Sequence, residues 1–257
     1  DMIDDYECFF GIVDQHAITT PYVPAELRQA SYRNLALYIA CGLDPNKCHL
    51  FLQSHVIGHT ELAWVLGCLC PIGQLERMTQ FKDKSQREGS GFIGAGLLNY
   101  PLLMAADILM FRAHDIPVGR DQIQHVEMAR DIAQRFNHNY EELFVLPEAR
   151  VDDEVAVLQG LDGRKMSKSY NNTIPLFDSE KRLKKAINKM KTNLLEPGDP
   201  KDTADSTVFQ LWCAFADQAA IASMEQAFAD GIAWGEAKKQ LFELINEELR
   251  GPREEYE

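Results

Sequence analysis

The sequence has no long apolar run and no surplus of positive charge. Its apolar stretches fall short of the roughly 18 residues that a membrane-spanning helix needs, and no signal peptide opens the chain, so we expect no membrane partner. The 257 residues include 26 Lys or Arg and 39 Asp or Glu, for a net charge of −13. This charge excludes a generally adhesive nucleic-acid binder but leaves room for a local basic patch.

The cysteines do not have the spacing of a metal site. Of six cysteines only Cys68 and Cys70 are close together, and Cys-Leu-Cys is not the usual spacing of a zinc site. We expect the six to be buried, reduced thiols, as in a cytoplasmic protein.

Short apolar runs alternate with helical patterns through the first two thirds of the chain. Residues 24–41 and 121–136 have helical spacing. The runs that resemble buried strands are 8–13, 49–54, 116–119, 143–146 and 155–158. Since this alternation is typical of a parallel sheet wrapped by helices, we predict an α/β domain over residues 1–176. Only helical periods follow, which predicts a helical domain over residues 177–257.

The run Gly163-Arg164-Lys165-Met166-Ser167-Lys168-Ser169 carries the clearest chemistry. Two lysines three positions apart, with serines beside them and a glycine before them, suit a loop that binds a polyphosphate. The lysines supply charge, and serine hydroxyls and backbone N–H groups can donate to phosphate oxygens. A solvated basic turn is the alternative for a generic Lys-x-x-Lys, but this pentapeptide between two such domains favours the polyphosphate loop.

Asp107 is a lone carboxylate within an apolar helical run, Met104-Ala105-Ala106-Asp107-Ile108-Leu109. An unpaired carboxylate is costly to bury, so we expect it to have a partner. One interpretation is an ion pair on the helix. The other is a pocket acid that accepts a hydrogen bond from a ligand N–H, such as the single donor of an indole ring.

A strand, a glycine and the start of a helix follow one another in Val118-Gly119-Arg120-Asp121-Gln122. Ligands of open α/β sheets bind at such carboxyl ends of strands. Gly119 permits a close backbone approach, Asp121 can accept from ribose hydroxyls, and Gln122 can bond the polar groups of an amino acid. The alternative for Asp121 is an ordinary helix N-cap that forms a capping box with Gln124.

Residues 165–169 are the signature loop of class I aminoacyl-tRNA synthetases. Together with Asp107, the 118–122 turn and the segments 12–19, 77–85 and 122–136, they make the chain resemble the tryptophanyl-tRNA synthetase family. The resemblance implies a Rossmann-like, nucleotide-binding parallel sheet flanked by helices in residues 1–176. It implies a helical anticodon-binding region in residues 177–257.

The same resemblance implies a reaction and its partners. A homodimer in the cytoplasm would use ATP, with Mg²⁺ on its phosphates, to convert L-tryptophan to tryptophanyl-adenylate and then charge tRNA(Trp). Positioning and charge stabilisation should dominate this catalysis, because no side chain is a compelling general base.

The residues that the resemblance assigns to tryptophan form three groups. The acceptor of the indole N–H is Asp107. The walls of the indole pocket are Val13, Met104, Ile116 and Val118. The residues that hold the ammonium and carboxylate are Tyr100 and Gln122. His16 lies beside the pocket, where a structural role is the alternative.

The residues assigned to ATP form two groups. Gly119 and Asp121 match the adenosine ribose site, with Val157 near an adenosine-contacting backbone position, and Arg120 between them is assigned to ATP as well. The phosphates are held by the catalytic lysines Lys84, Lys165 and Lys168, together with Met166, Ser167 and Ser169 of the signature loop.

The chain departs from the family pattern in three places. Arg120 stands where the family commonly has Glu; it adds charge for phosphate if it faces the nucleotide and changes little if it points outward. The family's first ATP-binding signature, usually Thr-Ile-Gly-Asn, is not found before Tyr6. The run His55-Val56-Ile57-Gly58-His59 follows the wrong strand, and we reject it as that signature. We therefore expect the chain to start after the signature and to lack the closing helices after Glu257.

Other functions remain open at this point. Tyrosyl-tRNA synthetases share the fold and the turn, and tyrosine also donates a hydrogen bond, although these enzymes usually lack the Lys-Met-Ser-Lys-Ser loop and the Met-Ala-Ala-Asp run. A non-catalytic synthetase paralogue and another nucleotidyltransferase of the same fold are further alternatives. The basic residues of segment 181–191 either meet tRNA phosphates or form a solvated helix face.

Overall fold

The computed structural model describes residues 2–79, 81–82, 94–151, 158–167 and 170–257. Lys84, Val157, Lys168 and Ser169, all assigned to ATP binding, lie outside these ranges, as does most of the expected strand 155–158. Within them, no helix has the length and apolar character to cross a membrane. The chain divides into two compact units, Asp1–Ile39 with Leu43–Asp152 and Ala40–Gly42 with Asp153–Glu257.

The first unit contains helices that alternate with short parallel strands. Its elements in chain order are α1 (Met2–Asp5), β1 (Phe9–Ile12), α2 (Asp14–Ala17), α3 (Pro24–Ala40), β2 (His49–Leu52), α4 (Gly58–Gly67), α5 (Ile72–Glu76), α6 (Ala95–Leu109), β3 (Asp115–Pro117), α7 (Ile123–Asn139) and β4 (Glu148–Arg150). Short 3₁₀ turns at Gln53–His55 and Arg120–Gln122 follow β2 and precede α7.

The strands form two parallel pairs. β1 pairs with β2 from Phe9↔His49 to Ile12↔Leu52, and β3 pairs with β4 from Asp115↔Glu148 to Pro117↔Arg150. Parallel neighbours need a crossover connection, which α3 supplies for the first pair and α7 for the second. Helix-connected parallel strands confirm the predicted α/β class with Rossmann-like βαβ units.

The strand expected over residues 143–146 is wrong, because the strand of this region is β4, a few residues later. Asn137, near the end of α7, accepts the backbone N–H groups of Leu143 and Phe144 through Oδ1 and donates to the Phe144 carbonyl. Phe144 is buried edge-on against Phe136. These local bonds hold the segment against the helix end, and it pairs with no strand among the described residues.

The cysteines are free, but the expectation that all are buried is wrong. Cys48 is buried, whereas Cys41, Cys68 and Cys213 are exposed. The physical reason is position: Cys41 and Cys68 directly follow α3 and α4, and Cys213 ends a helix of the second unit. Helix ends in these places face the solvent.

The core of the first unit lies between α4, α6 and α7. Leu66 of α4, Leu109 of α6 and Ile132 of α7 are almost completely buried. Small residues such as Ala106 and Ala129, each fully buried, let the helix backbones approach closely. This packing fixes α6, and therefore fixes the position of Asp107 on its other face.

The second unit is helical, with elements α8 (Glu180–Asn188), α9 (Thr207–Cys213), α10 (Gln218–Ala229), α11 (Trp234–Glu248) and α12 (Arg250–Tyr256). Leu183, Ile187, Phe228, Leu241 and Ile245 are all fully buried in its core. Leu158, Leu161 and Met166 pack against the same core. The signature loop therefore belongs to this compact unit, which starts before the boundary expected near residue 176.

Gly231 lies at a close crossing of two loops in the second unit. Its φ is +82°, and an added Cβ would lie 2.4 Å from the carbonyl carbon of Gly198. We predict that Gly231→Ala destabilises this unit by about 2–4 kcal/mol, since left-handed backbone strain and a backbone clash add together. Urea unfolding followed by the fluorescence of Trp212 and Trp234 measures the loss.

Gly235→Ala is the matched control, because Gly235 lies in the first turn of α11 and an added Cβ meets no atom within 4 Å. This substitution should leave stability unchanged or raise it by up to about 1 kcal/mol. Equal losses in the two variants would contradict the steric argument.

Candidate active site

A cavity of 1020 Å³ in the first unit is bordered by residues of β1, α6 and β3. It is large enough for an amino-acid ligand. Seven of the eight residues assigned to tryptophan line it, namely Val13, His16, Tyr100, Met104, Asp107, Ile116 and Gln122. The structure therefore brings together side chains that lie more than one hundred positions apart in the sequence.

Val118, the eighth of these residues, is placed differently. It lies just beyond the end of β3, where its backbone N–H still donates to the Arg150 carbonyl. Its side chain packs against the hydrophobic core between the helices. Val118 therefore lies behind the part of the cavity wall that Ile116 and Pro117 form.

Asp107 is surrounded by polar side chains. His16 Nε2 lies 2.7 Å from Oδ2, and Gln53 Nε2 donates to Oδ1 at 2.8 Å and to Oδ2 at 2.9 Å. His59 Nδ1 lies 2.7 Å from Oδ1. The side chain is still 20% exposed toward the cavity, so Asp107 has both the partners expected of a buried acid and access to a ligand.

The strand ends place these donors. The Gln15 backbone N–H donates to Gln53 Oε1, and the Ser54 N–H donates to Asp14 Oδ1. These bonds join the segments that follow β1 and β2 at the carboxyl edge of the strand pair. Gln53, which is fully buried, is thereby held with its amide N–H₂ group directed at Asp107.

Gln53 and His59 are site residues that sequence reasoning missed. Each is one polar residue within or just after an apolar stretch. The available signal was their polarity at a strand end and a helix start, because a buried polar group needs a partner. That partner, Asp107, is remote in sequence.

Tyr100 lies one helical turn before Met104 and two before Asp107 on α6. Its hydroxyl is 2.8 Å from His125 Nε2, and its ring meets His16 edge-on. Burial raises the pKa of the Tyr100 hydroxyl to about 12, further above pH 7, where the hydroxyl is neutral in any case. It can therefore offer a neutral oxygen to an ammonium group.

The turn after β3 contains Gly119, Arg120, Asp121 and Gln122. Gly119 is close to the Asp121 carboxylate, because an added Cβ would lie 2.9 Å from Oδ1. Gln122 donates to Asp121 Oδ2 at 3.0 Å. Arg120 and Asp121 are exposed. The carboxylate is thus held near the backbone and remains accessible to a hydroxyl donor.

The alternative of a capping box at Asp121 is wrong. The α-helix begins at Ile123 after a 3₁₀ turn, and no side chain caps it. Gln124 accepts instead from the backbone N–H and hydroxyl of Thr79. A 3₁₀ turn displaces Asp121 from the N-cap position, so its carboxylate does not serve α7.

The signature loop is organised around the buried Asn172. Its Oδ1 accepts the Ser167 N–H at 2.8 Å, and its Nδ2 donates to Asp162 Oδ1 at 2.8 Å and to the Lys165 carbonyl at 3.1 Å. The Met166 N–H donates to Leu158. Lys165 is exposed, whereas Met166 packs into the helical core.

Asp162 closes the base of this loop. Hydrogen bonds from the Asn172 side chain and the Arg164 backbone lower the pKa of its carboxyl to about 2. The ionised carboxylate also pairs with the Arg164 guanidinium. The charges of Asp162 and Arg164 at the base of the loop therefore neutralise each other.

The described part of the chain contains no group of three or more His, Cys, Asp or Glu side chains that could hold a metal ion.

Comparison with known proteins identifies the family. The family model of class I tRNA synthetases (W and Y), those for tryptophan and tyrosine, matches residues 1–250. A tryptophan–tRNA ligase of Neisseria meningitidis is 47% identical over 259 residues, covering 98% of this chain and 77% of that protein. One of Xanthomonas campestris is 50% identical over 260 residues, covering 98% of this chain but 60% of its own length.

A solved structure is similar over nearly the whole chain. It is the tryptophanyl-tRNA synthetase of Campylobacter jejuni complexed with ADP and tryptophan, with 42% identity and a TM-score of 0.88. The match covers 99% of this chain and 81% of that one. With its parallel βαβ units and helical second unit, the chain belongs to the class I tRNA synthetases, in the tryptophan–tRNA ligase family.

Proposed function

We propose that the protein activates L-tryptophan with ATP and transfers the tryptophanyl group to tRNA(Trp). The observation that carries this proposal is the Asp107 carboxylate in the wall of a mainly apolar cavity. Met104 and Ile116 supply apolar surface in the same wall. Tryptophan bound to the Campylobacter relative supports the same amino acid here.

Selectivity follows from the donors and acceptors of the cavity. An ionised carboxylate only accepts hydrogen bonds, and an indole N–H only donates. Phenylalanine has no donor and would leave the remaining acceptor site of Asp107 unfilled, a defect that can discriminate by about 10⁴-fold. Tyrosine can donate, but its phenol has a different length and shape from indole.

The first reaction step needs alignment more than covalent help from the protein. A carboxylate oxygen of tryptophan attacks the α-phosphorus of ATP, and the bond to the bridging oxygen of pyrophosphate breaks. We propose that Tyr100 and Gln122 hold the ammonium and carboxylate of tryptophan, and that Gly119 and Asp121 bind the ribose. Holding both reactants in place lowers the activation barrier, because their translational and rotational entropy is already lost on binding.

Charge at the phosphates is the second requirement. We assign it to Lys165, which the structure leaves exposed, together with Lys84 and Lys168. Arg120 is exposed beside Asp121 and adds positive charge to the same turn. Mg²⁺ would enter on the ATP phosphates, where it supplies Lewis-acid stabilisation of charge.

In the second step, a ribose hydroxyl at the tRNA 3′ end attacks the adenylate carbonyl, and AMP leaves. We propose that the basic segment 181–191, which includes most of α8, contacts the tRNA backbone. We also propose that the protein acts in the cytoplasm. Lys181, Lys185 and Lys189 are exposed, while Leu183 and Ile187 are buried on the other face. A basic face on an acidic protein is a local site for phosphates.

We further propose a homodimer. Trp64 is 78% exposed and Tyr140 is 68% exposed, and both border a surface groove of 650 Å³ with Val65, Leu69 and Phe136. A large exposed aromatic patch is typical of a protein interface. Because the family resemblance implies a homodimer, we assign a second copy of this chain as the partner of the groove.

Tryptophan-dependent exchange of pyrophosphate into ATP tests the proposed activity. We predict exchange with tryptophan but not with tyrosine. Asp107→Asn should raise the KM for tryptophan about 100-fold, because the new amide N–H₂ group replaces an oxygen that Gln53 and His16 approach. The KM for ATP should change by less than about threefold, since Asp107 holds no part of ATP.

Asp131→Asn is the control for this change. Asp131 is exposed on α7 and accepts from Gln74, away from the cavity. Its variant should keep the KM for tryptophan. The proposal fails if the protein exchanges with tyrosine instead, or if Asp107→Asn leaves the KM for tryptophan unchanged.

The basic face of α8 generates a prediction for tRNA. The double variant Lys181→Glu with Lys185→Glu should raise the KM for tRNA(Trp) by about tenfold and weaken its salt dependence, because fewer phosphates are neutralised. Pyrophosphate exchange should not change. Arg28→Glu with Arg33→Glu on α3 makes the same charge change; an equal effect there would show that net charge is responsible.

The proposed dimer generates a prediction for Trp64. Trp64→Glu should convert the dimer to a monomer in sedimentation equilibrium at micromolar concentration, because a carboxylate would have to be desolvated at the centre of the patch. Tyr32→Glu is the control, since Tyr32 is 72% exposed on α3, outside the groove. A Trp64→Glu variant that remains dimeric would assign the interface elsewhere.

A further inference from the structure

His59 is the part of the Asp107 cluster that substrate binding does not explain. We propose that His59 is a positioning residue that orients the Asp107 carboxylate, and so sets the preference for an amino acid with an indole N–H. This inference rests on the proposed activation of tryptophan. It gives a role to a histidine in the run 55–59, which does not serve as the family's ATP signature.

The burial of His59 requires an explanation. The residue is completely buried, and an imidazole in such a place needs polar partners. Its Nδ1 lies 2.7 Å from Asp107 Oδ1, although the ring is not aligned for a linear N–H hydrogen bond. Its Nε2 has no hydrogen-bond partner among the described residues. The carboxylate of Asp107 is therefore the polar group that this ring faces.

Aromatic neighbours fix the His59 ring. Phe51 of β2 stacks on it at 5.4 Å with an angle of 18°, and Phe111 lies against it at 5.6 Å. Both phenylalanines line the cavity, but His59 is not among the lining residues. The histidine thus lies behind an aromatic wall and reaches the cavity only through Asp107.

The three neighbours of the carboxylate leave little freedom. A carboxylate has about four lone-pair sites. Hydrogen bonds from Gln53 to both oxygens and the contact of His16 with Oδ2 occupy about three of these sites. His59 Nδ1 lies against Oδ1 without a hydrogen bond. About one site remains for a ligand donor in the cavity.

Of the three, only His59 does not line the cavity, so it approaches the carboxylate from behind the cavity wall. The terminal torsion of an aspartate is broad, so without His59 the carboxylate can rotate and move its free acceptor site away from the indole N–H. The apolar walls would be unaffected by that rotation. Loss of His59 should therefore weaken recognition of the N–H and leave recognition of the ring shape intact.

A pair of substrates separates these two effects. L-Tryptophan has the N–H, and L-3-(benzothiophen-3-yl)alanine replaces it with sulfur in a ring of nearly the same shape. The measurement is kcat/KM for each in pyrophosphate exchange by the full-length protein. His59→Phe keeps an aromatic ring between Phe51 and Phe111 but removes the polar atoms.

We expect His59→Phe to lower the tryptophan-to-analogue ratio of kcat/KM by about tenfold or more, mainly through the KM for tryptophan. His59→Asn should restore most of the ratio, because its amide nitrogen can occupy the place of Nδ1. His59→Gln should not, because its amide reaches the place of Nε2. If His59→Phe does not fold, the same test compares the tryptophan-to-analogue ratio of His59→Asn with that of His59→Gln.

A purely structural role predicts a different result. His59→Phe, or His59→Gln, would then reduce kcat/KM for both substrates equally, and this outcome overturns the inference while leaving the proposed function intact. An unmodified protein that activates neither substrate contradicts the proposed function and the inference together. Thermal midpoints of the variants identify any loss due to unfolding.

Discussion

The carboxylate of Asp107 is the constraint around which the first unit is arranged. It lies on α6 next to residues that are fully buried, where an ionised acid is strongly unfavourable without partners. Its neighbours come from three separate segments, with His16 after β1, Gln53 after β2 and His59 at the start of α4. The acid is therefore stable only when the strand ends and helices are in register, and the folded unit and the binding site depend on the same contacts.

This dependence also explains why the cavity can be selective without large polar surface. Apolar side chains such as Met104 and Ile116 determine which rings fit, and the remaining acceptor site of Asp107 determines which ring edge is satisfied. The neighbours of the carboxylate occupy most of its lone pairs, so a ligand donor completes the set. A ligand without that donor gains the apolar contacts but leaves a partly buried charge incompletely paired.

The sequence patterns predicted the secondary-structure elements better than the contacts between residues that lie far apart in the chain. Parallel strands and the long helices followed from local sequence, because apolar period and strand-end position are local properties. The seven cavity residues that were predicted came from the family resemblance instead. The strand at 143–146 could not be excluded, since the competing bonds come from one side chain, Asn137. Gln53 and His59 were missed for a related reason: each is explained by Asp107, and Gln53 lies 54 positions from it.

The signature loop shows how a predicted motif can leave its contacts with phosphate undetermined. The sequence predicts that backbone N–H groups and lysines together bind phosphate. In the structure the Ser167 N–H is already paired with Asn172 Oδ1 at 2.8 Å, and the Lys165 carbonyl accepts from the same amide. The Lys165 side chain is exposed. Lysine charge is thus available to phosphate in this arrangement, whereas a contact from the Ser167 N–H requires the loop to release Asn172.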